Sequence, residues 1–391
     1  MTILELTCRD PIVARDGRPF GAGQGNRMRS VGWPLPSVVA GSLRTALGKA
    51  AQREFSDATA RELLQVGAAG AFPVADGSIY LPAPNDCVFH PDHGPCRAVP
   101  QMDASWGACD LPAGLHPVML PLDKYPKEFK PKPGPAWWPL AEYAKWLTGG
   151  AVTFDRRFLA SALLEERMHV AIDAATGAAK DENLFSTAAL PLTHLPRFGT
   201  AETNPFAERF QPITLTARVR AENSFAAAAG RLDCLHPLGG ERRLVHWRAD
   251  GAADLWQPPD ALKTNLVGAK FVRMVLATPA IFGDGWKPGW LNDQLIGDVP
   301  DTKVKVQLVG ASIERWKAVS GWSLQPHPET GKPGPKAIRR MVPAGGVYFF
   351  EVKGGEATDL VERCWLESVC DDEQERRDGF GLAAWGTWQP S

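Results

Sequence analysis

The sequence predicts an α+β fold, and three observations lead to this prediction. Several short segments alternate apolar and polar residues at period two, which is typical of strands; Leu4, Leu6 and Cys8 alternate in this way with Glu5 and Thr7. Few segments have helical periodicity. The regular segments are separated by long loops, and they lack the strict strand–helix alternation of a parallel α/β fold. The 391 residues are enough for two or three domains.

The N-terminal segment predicts a strand, a long loop and a helix. The strand ends near Cys8, and a Gly- and Arg-rich loop follows to Trp33. Pro34 and Pro36 precede Ser37, which we expect to be the N-cap of the first helix. Apolar residues then recur at helical spacing over 39–50 and predict one buried face. A second, short helix is predicted over 57–66.

The middle of the chain predicts an insertion. Residues 82–139 contain 13 of the 34 prolines, a density that excludes long regular helices and central strands. We place the insertion at about 82–150, with a short helix near 137–147. A strand at 169–173 and a partner near 184–185 predict a hairpin. Further strands are predicted at 213–220, 271–277, 303–309 and 347–352, and a helix is predicted at 356–370.

Composition limits the class of protein. With 44% hydrophobic residues the chain can bury a core, and no apolar run is long enough to span a bilayer. The seven cysteines are odd in number and irregularly spaced, and the N-terminus lacks a signal-peptide pattern, so we expect a cytoplasmic protein. The net charge of −1 combines a basic cluster at 331–340 with an acidic zone at 355–378. This separation predicts one face for RNA and another for proteins; scattered solvated charge is the alternative.

Three elements combine glycine with arginine. Backbone N–H groups of a Gly-Gly pair can approach a phosphate, and neighbouring guanidinium groups can bind its oxygens. A turn beside solvated arginines is the alternative for each element taken alone. The elements lie at 9–29, 238–243 and 379–386, the last directly after Arg376 and Arg377.

Two other groups contain residue types that are suited to metal binding or catalysis. Cys87, His90, His93 and Cys96 are suitable ligands for zinc, but the spacing is tight, and we favour a loop without metal. His169 could act as a general base, although a surface histidine is the simpler interpretation. The sequence contains no nucleophile elbow, Walker loop, zinc-protease motif or dinucleotide fingerprint. We therefore expect no catalysis, no cofactor and no metal.

Motifs along nearly the whole chain resemble one family. The chain resembles the third, RAMP-superfamily subunit of type III-B (Cmr-type) CRISPR effector complexes. The motifs that carry this resemblance, in order, are DP at 10–11, RDGRPF at 15–20, PSVVAGSLR at 36–44, ERMHVAID at 166–173, GGERR at 239–243, TP at 278–279, SGW at 320–322, RMVPAGG at 340–346 and GFG at 379–381.

The resemblance implies two ferredoxin-like (RRM-like) domains, which we place at 1–210 and 211–391, with long insertions in the first. It implies a non-catalytic subunit that holds the 5′ handle of the CRISPR guide RNA (crRNA). The implied protein partners are the large polymerase/cyclase-type subunit and the first backbone subunit. The alternative is a RAMP endoribonuclease that processes the crRNA precursor, with His169 or another histidine as its base.

The resemblance and the Gly/Arg elements together give a set of expected RNA-binding residues. Arginines would contact phosphate, Ser37 would start a helix beside the RNA backbone, and glycines would allow close approach. The set consists of Arg15, Arg18, Ser37, Arg44, Gly239, Gly240, Arg242, Arg243, Arg339, Arg340, Gly379 and Gly381.

Overall fold

Two large antiparallel sheets organise the chain. The computed structural model describes residues 1–15, 26–102, 110–121, 129–323, 331 and 334–390. Strands and helices alternate irregularly along these ranges, and the predicted α+β class is confirmed. No helix in these ranges is both long and apolar enough to cross a bilayer.

The regular elements are numbered in chain order. The helices are α1 (Pro36–Ala50), α2 (Asp57–Leu64), α3 (Leu140–Leu147), α4 (Phe206–Arg209), α5 (Asn223–Ala229), α6 (Asp260–Leu266), α7 (Asp359–Glu362) and α8 (Glu373–Asp378). The strands are β1 (Thr2–Cys8), β2 (Asn26–Met28), β3 (Gly67–Ala75), β4 (Ser78–Pro82), β5 (Cys87–His90), β6 (Gly94–Arg97), β7 (Val99–Pro100), β8 (Val118–Met119), β9 (Trp137–Pro139), β10 (Glu165–Ile172), β11 (Ala179–Ala189), β12 (His194–Pro196), β13 (Phe210–Pro212), β14 (Thr214–Arg220), β15 (Asp233–Pro237), β16 (Leu244–Arg248), β17 (Phe271–Leu276), β18 (Ile296–Asp298), β19 (Lys305–Ser312), β20 (Lys317–Val319), β21 (Trp322–Ser323), β22 (Gly334–Pro335), β23 (Arg339–Met341), β24 (Val347–Gly354), β25 (Glu367–Ser368) and β26 (Leu382–Thr387).

The first sheet has seven strands in the order β15-β16-β1-β14-β3-β4-β9. Strand β1 is central, and its Leu6 lies opposite Leu215 of β14 and Trp247 of β16. All three side chains are buried. Helix α1 packs against this sheet through the apolar face that the sequence predicts, which includes Val39 and Leu43. The alternation of apolar residues in β1 and β14 therefore builds the N-terminal core.

The second sheet has six strands in the order β18-β19-β24-β17-β26-β25. Strand β17 is central, and its Met274 lies opposite Tyr348 of β24 and Trp385 of β26. These side chains are buried, and burial raises the pKa of Tyr348 above its usual range. The strands predicted near 271–277, 303–309 and 347–352 form the centre of this sheet.

Strand pairing places the boundary between the N-terminal and C-terminal halves further along the sequence than we expected. Strand β14 pairs with both β1 and β3, and β16 pairs with β1, so residues 214–248 belong to the N-terminal sheet. The boundary expected between 210 and 211 does not separate the two sheets. The reason is the insertion. It lies in the sequence between β3 and β14, and these two strands are neighbours in the sheet although more than one hundred residues separate them.

Two local predictions are wrong. The acidic segment 356–370 is not one helix, because α7 ends at Glu362 and β25 follows at Glu367. Helix α1 begins at Pro36 with Leu35 as its N-cap, so Ser37 is the second helical residue and not the cap. Pro36 has no N–H to satisfy and its backbone angle suits the first turn, which explains the earlier start.

Candidate nucleic-acid interface

The turn at 239–243 is held against the segment that follows β1. Gly240 N donates a hydrogen bond to Val13 O at 2.7 Å. Gly239 has φ +77°, and a Cβ at this position would clash with the same carbonyl oxygen. Glu241 and Arg242 also have positive φ values, of 56° and 53°. The two glycines thus serve close backbone packing and fix the direction in which the turn continues.

The contact between Gly240 and Val13 brings two parts of the sequence together. Arginines that we expect to bind RNA, from both parts, thus lie on neighbouring backbone segments. Arg15 lies two residues beyond Val13 and pairs with Ser30. Arg242 lies two residues beyond Gly240 and is exposed, while Arg243 is half-buried and donates to Glu241 at 2.9 Å. We call Arg15, Arg242 and Arg243 the arginine surface. The predicted Arg18 lies outside the described residues.

The predicted phosphate contact of Arg44 is wrong. This side chain is buried, and its guanidinium donates to Val66 O at 2.8 Å and to Asp378 Oδ1 at 2.5 Å. The guanidinium also donates to Arg377 O. Arg44 therefore ties α1 to α8, and its donors are turned into the protein. No local pattern could predict this pairing, because the partner Asp378 lies 334 positions away.

The predicted C-terminal glycines also serve packing. Gly379 ends α8 with φ +86°, and a Cβ there would lie 2.5 Å from Ala68 O of β3. Gly381 has φ +68° and lies against Cys370. Both glycines are buried, so the phosphate contact expected of them is not available in this structure.

The remaining predicted residues differ in exposure. Ser37 is half-buried near the start of α1. Arg339 forms an ion pair with Glu375 of α8. Arg340 is exposed, with its guanidinium 5.0 Å from the centre of the Trp316 ring. Of these three, Arg340 is best placed to meet a ligand.

An arginine-lined pocket between the halves was not predicted. Its volume is about 590 Å³, and its lining includes Arg218, Arg220, Arg376 and Arg377. Arg218 and Arg220 form the basic face of β14, and both pair with Glu367 of β25. Burial lowers the pKa of Arg218. One carboxylate of the acidic zone therefore lies between two arginines of the basic strand face, of which Arg218 is buried and Arg220 is exposed.

The family model described as "CRISPR-associated protein (Cas_Cmr3)" matches residues 4–388. The chain belongs to this family. The resemblance stated from the sequence motifs is thereby confirmed. No curated protein shows significant similarity to this member of the Cmr3 family.

Solved structures with a similar course of the chain were also found. A chain from "Cryo-EM structure of the Type III-B Cmr-beta bound to cognate target RNA and AMPPnP, state 1" has 12% identity and a TM-score of 0.47, covering 89% of this chain and 86% of that one. A chain from "Crystal structure of Csm3-Csm4 subcomplex in the type III-A CRISPR-Cas interference complex" has 10% identity and a TM-score of 0.36, covering 91% and 94%. The family assignment rests on the family model.

The Cys/His group of this Cmr3-family chain lies on the hairpin β5–β6. Cys87 is opposite Arg97 and Cys96 is opposite Val88, so the two thiols point to opposite faces of the hairpin. Burial raises the pKa of the Cys87 thiol well above its usual range, which disfavours the thiolate that zinc requires. Across the described ranges, no group of three or more potential metal ligands is assembled.

The His169 side chain contacts a threonine and a phenylalanine, and neither of these is a partner that a general base would use in catalysis. Its Nε2 lies 2.9 Å from Thr187 Oγ1, and its ring stacks on Phe185 with centroids 5.3 Å apart. Both partners lie on β11, so the ring is part of the β10–β11 hairpin face. The closest pair of histidine rings that the structure shows is His90 and His93, with centroids 4.9 Å apart.

Proposed function

We propose that this Cmr3-family chain is a non-catalytic RNA-binding subunit of a type III-B CRISPR effector complex that holds the 5′ handle of the crRNA. The observation that carries the proposal is the contact between Val13 and Gly240, which gathers the arginine surface. The guanidinium of Arg242 is exposed on this turn, and an exposed guanidinium on a fixed turn can bind phosphate oxygens bidentately. The two similar solved structures come from type III complexes, which agrees with this proposal.

We also propose that each half is a ferredoxin-like domain. In the first sheet the strands β16-β1-β14-β3 are antiparallel neighbours, with α1 following β1 and α5 following β14. In the second sheet β26-β17-β24-β19 have the same strand order, with α7 and α8 following β24 but no helix between β17 and β19. Both orders support the split βαβ topology of this fold.

The hairpin β10–β11 supports docking to neighbouring subunits. Its strands pair so that Val170 lies opposite Leu184, and Met168 and Ile172 extend the same face. All four side chains are exposed. An apolar face on an extended hairpin is suited to a protein partner. We propose that this face contacts the first backbone subunit, and that the large polymerase/cyclase-type subunit docks elsewhere on the chain.

Ultraviolet crosslinking of the assembled complex, with mass-spectrometric mapping of RNA adducts, tests the proposal. We expect adducts between the first guide nucleotides and peptides that contain Arg15 or Arg242. If neighbouring subunits carry adducts and this chain carries none, the chain is a protein-facing scaffold and the proposal is wrong.

The non-catalytic part of the proposal has its own test. The alternative endoribonuclease would release a 2′,3′-cyclic phosphate from a repeat-containing RNA without metal. We expect no such product. If it forms, the double variant His90→Ala and His93→Ala distinguishes that histidine pair from His169→Ala as the source of the general base.

A further inference from the structure

The arginine-lined pocket between the two halves has an excess of positive charge. Its volume is about 590 Å³, and four arginines but only three carboxylates line it. Arg218 and Arg220 share the single carboxylate of Glu367. Burial lowers the pKa of Arg218, so the shared carboxylate does not fully replace the solvation that the buried guanidinium loses. The pocket is therefore suited to a further anion.

The buried arginine of this pocket has hydrogen-bond donors to spare. The Arg218 side chain is 7% exposed, and its Nη2 lies 2.6 Å from Leu366 O and 3.0 Å from the Glu367 carboxylate. Its Nε and Nη1 have no acceptor within the part of the chain that the structure describes. The guanidinium carbon lies 5.0 Å from the centre of the Trp256 ring, so packing also holds the group in place. A fixed guanidinium with unused donors can bind an anion through charge-assisted hydrogen bonds.

Two arginines of the C-terminal half line the same pocket. Each is paired with one carboxylate through its Nη2, Arg376 with Asp301 and Arg377 with Glu373. The Asp301 side chain is 64% exposed and the Glu373 side chain is 75% exposed, so these pairs are weak and can rearrange when an anion enters. An anion held by Arg218 and by these two arginines would join β14 of the N-terminal half to α8 of the C-terminal half.

The charge distribution favours one small phosphate over a strand of RNA. A guanidinium can bind phosphate oxygens through two parallel hydrogen bonds, and several guanidinium groups can surround a dianion. A strand of RNA would bring a phosphate with every nucleotide, and the carboxylates of Asp301, Glu367 and Glu373 would repel the phosphates that follow. The volume of the pocket also lies in the range of small-molecule sites.

We propose that this pocket binds a small phosphate-containing anion, which Arg218, Arg376 and Arg377 hold. The anion would supply the negative charge that the shared carboxylate lacks, and it would clamp the two halves together. The inference goes beyond the proposed RNA-binding function and does not depend on it, because these residues lie outside the arginine surface.

Calorimetric titration of the full chain with pyrophosphate, at constant ionic strength, tests the site. We expect saturable binding at one site, and a midpoint of thermal unfolding that rises with the pyrophosphate concentration. Arg377→Gln should weaken binding about tenfold or more, the contribution of one charge-assisted contact. Glu373→Gln should strengthen binding about two- to fivefold, because it removes a carboxylate that competes for Arg377. A purely structural role of this pair would not produce such a gain.

Arg363→Gln is the matched control, because Arg363 also pairs with a carboxylate one helical turn away, Asp359, and is not among the residues that line the pocket. It should leave binding unchanged. Absence of saturable binding, or equal weakening in the two arginine variants, would overturn the inference. Ultraviolet adducts of crRNA on α8 in the assembled complex would show that RNA occupies the pocket, and would equally overturn it. Adducts near Arg15 and Arg242 test the proposed function separately.

Discussion

Asp86 and Arg273 form a buried ion pair in which both side chains are 0% exposed. Asp86 belongs to the insertion and Arg273 to the central strand of the C-terminal sheet. Trp146 of α3 completes the site, since its Nε1 donates to Asp86 Oδ1 at 2.8 Å and its carbonyl accepts from Arg273 and from Arg97. The insertion is thus fixed to the C-terminal half by charge as well as by packing.

Removing one partner of this pair should destabilise the protein strongly. Arg273→Met leaves the Asp86 carboxylate buried without its cation, and we expect the free energy of unfolding to fall by about 3–5 kcal/mol in urea titrations. Arg220→Met is the matched control, because its partner Glu367 is paired at a more exposed site. The free energy of unfolding of the control variant should fall by about 0–1 kcal/mol. Equal losses for the two variants would contradict the role assigned to burial.

Gly379→Ala should destabilise the contact between α8 and β3. The new Cβ would combine a left-handed backbone with a steric clash at Ala68 O. Gly268→Ala is the control, because Gly268 has φ +65° but open space around it. We expect the free energy of unfolding to fall by about 1–2 kcal/mol in the control, from backbone strain alone. The loss should be larger for Gly379→Ala. Thermal melting of both variants provides the comparison.

Arg44 and Arg242 should separate stability from RNA binding. Arg44→Met should lower the midpoint of thermal unfolding, because it leaves Asp378 without its buried partner. Arg242→Ala should leave that midpoint unchanged and should reduce the slope of log affinity against log salt by about 0.7, the contribution of one phosphate contact to a single strand. Binding titrations of the assembled complex at several salt concentrations measure the slope. An unchanged slope would remove Arg242 from the RNA surface.

His236 should make stability depend on pH. Burial and the nearby Lys49 lower the pKa of this imidazole in the folded protein. The unfolded chain then binds a proton more readily than the folded one, so stability is complete above the unfolded pKa of about 6.5 and declines as pH falls below it. Urea titrations of wild type and His236→Phe between about pH 7.5 and 5 should show a shallower decline for the variant. Identical profiles would exclude His236 as a contributor.

Patterns within short stretches of sequence predicted the elements that depend on neighbouring or periodically spaced residues. The alternation over 213–220 predicted a strand, a further strand was predicted over 271–277, and the apolar spacing over 39–50 predicted the buried face of α1. Contacts across the whole chain could not be predicted in this way. Arg44 resembles any helical arginine until Asp378 is brought to it, and no local pattern shows that Arg218 and Arg220 of β14 pair with Glu367.

The candidate site was predicted in part for the same reason. Glycines 239 and 240 were identified by their dipeptide, and the structure adds that they contact Val13, a partner that the sequence does not reveal. Trp316, whose ring lies beside the guanidinium of Arg340, was not identified because exposure is a property of the folded surface. Most tryptophans of this chain are buried, so the residue type alone favoured a core position.

The Arg44–Asp378 pair has a consequence for biosynthesis. The helix that carries Arg44 is synthesised early, whereas the carboxylate that neutralises it follows 334 residues later. Until the C-terminal half has been translated and docked, the nascent N-terminal half holds an uncompensated cation at the surface it must later bury. Its final consolidation therefore waits until Asp378 has been synthesised, and contacts of such long sequence separation form slowly.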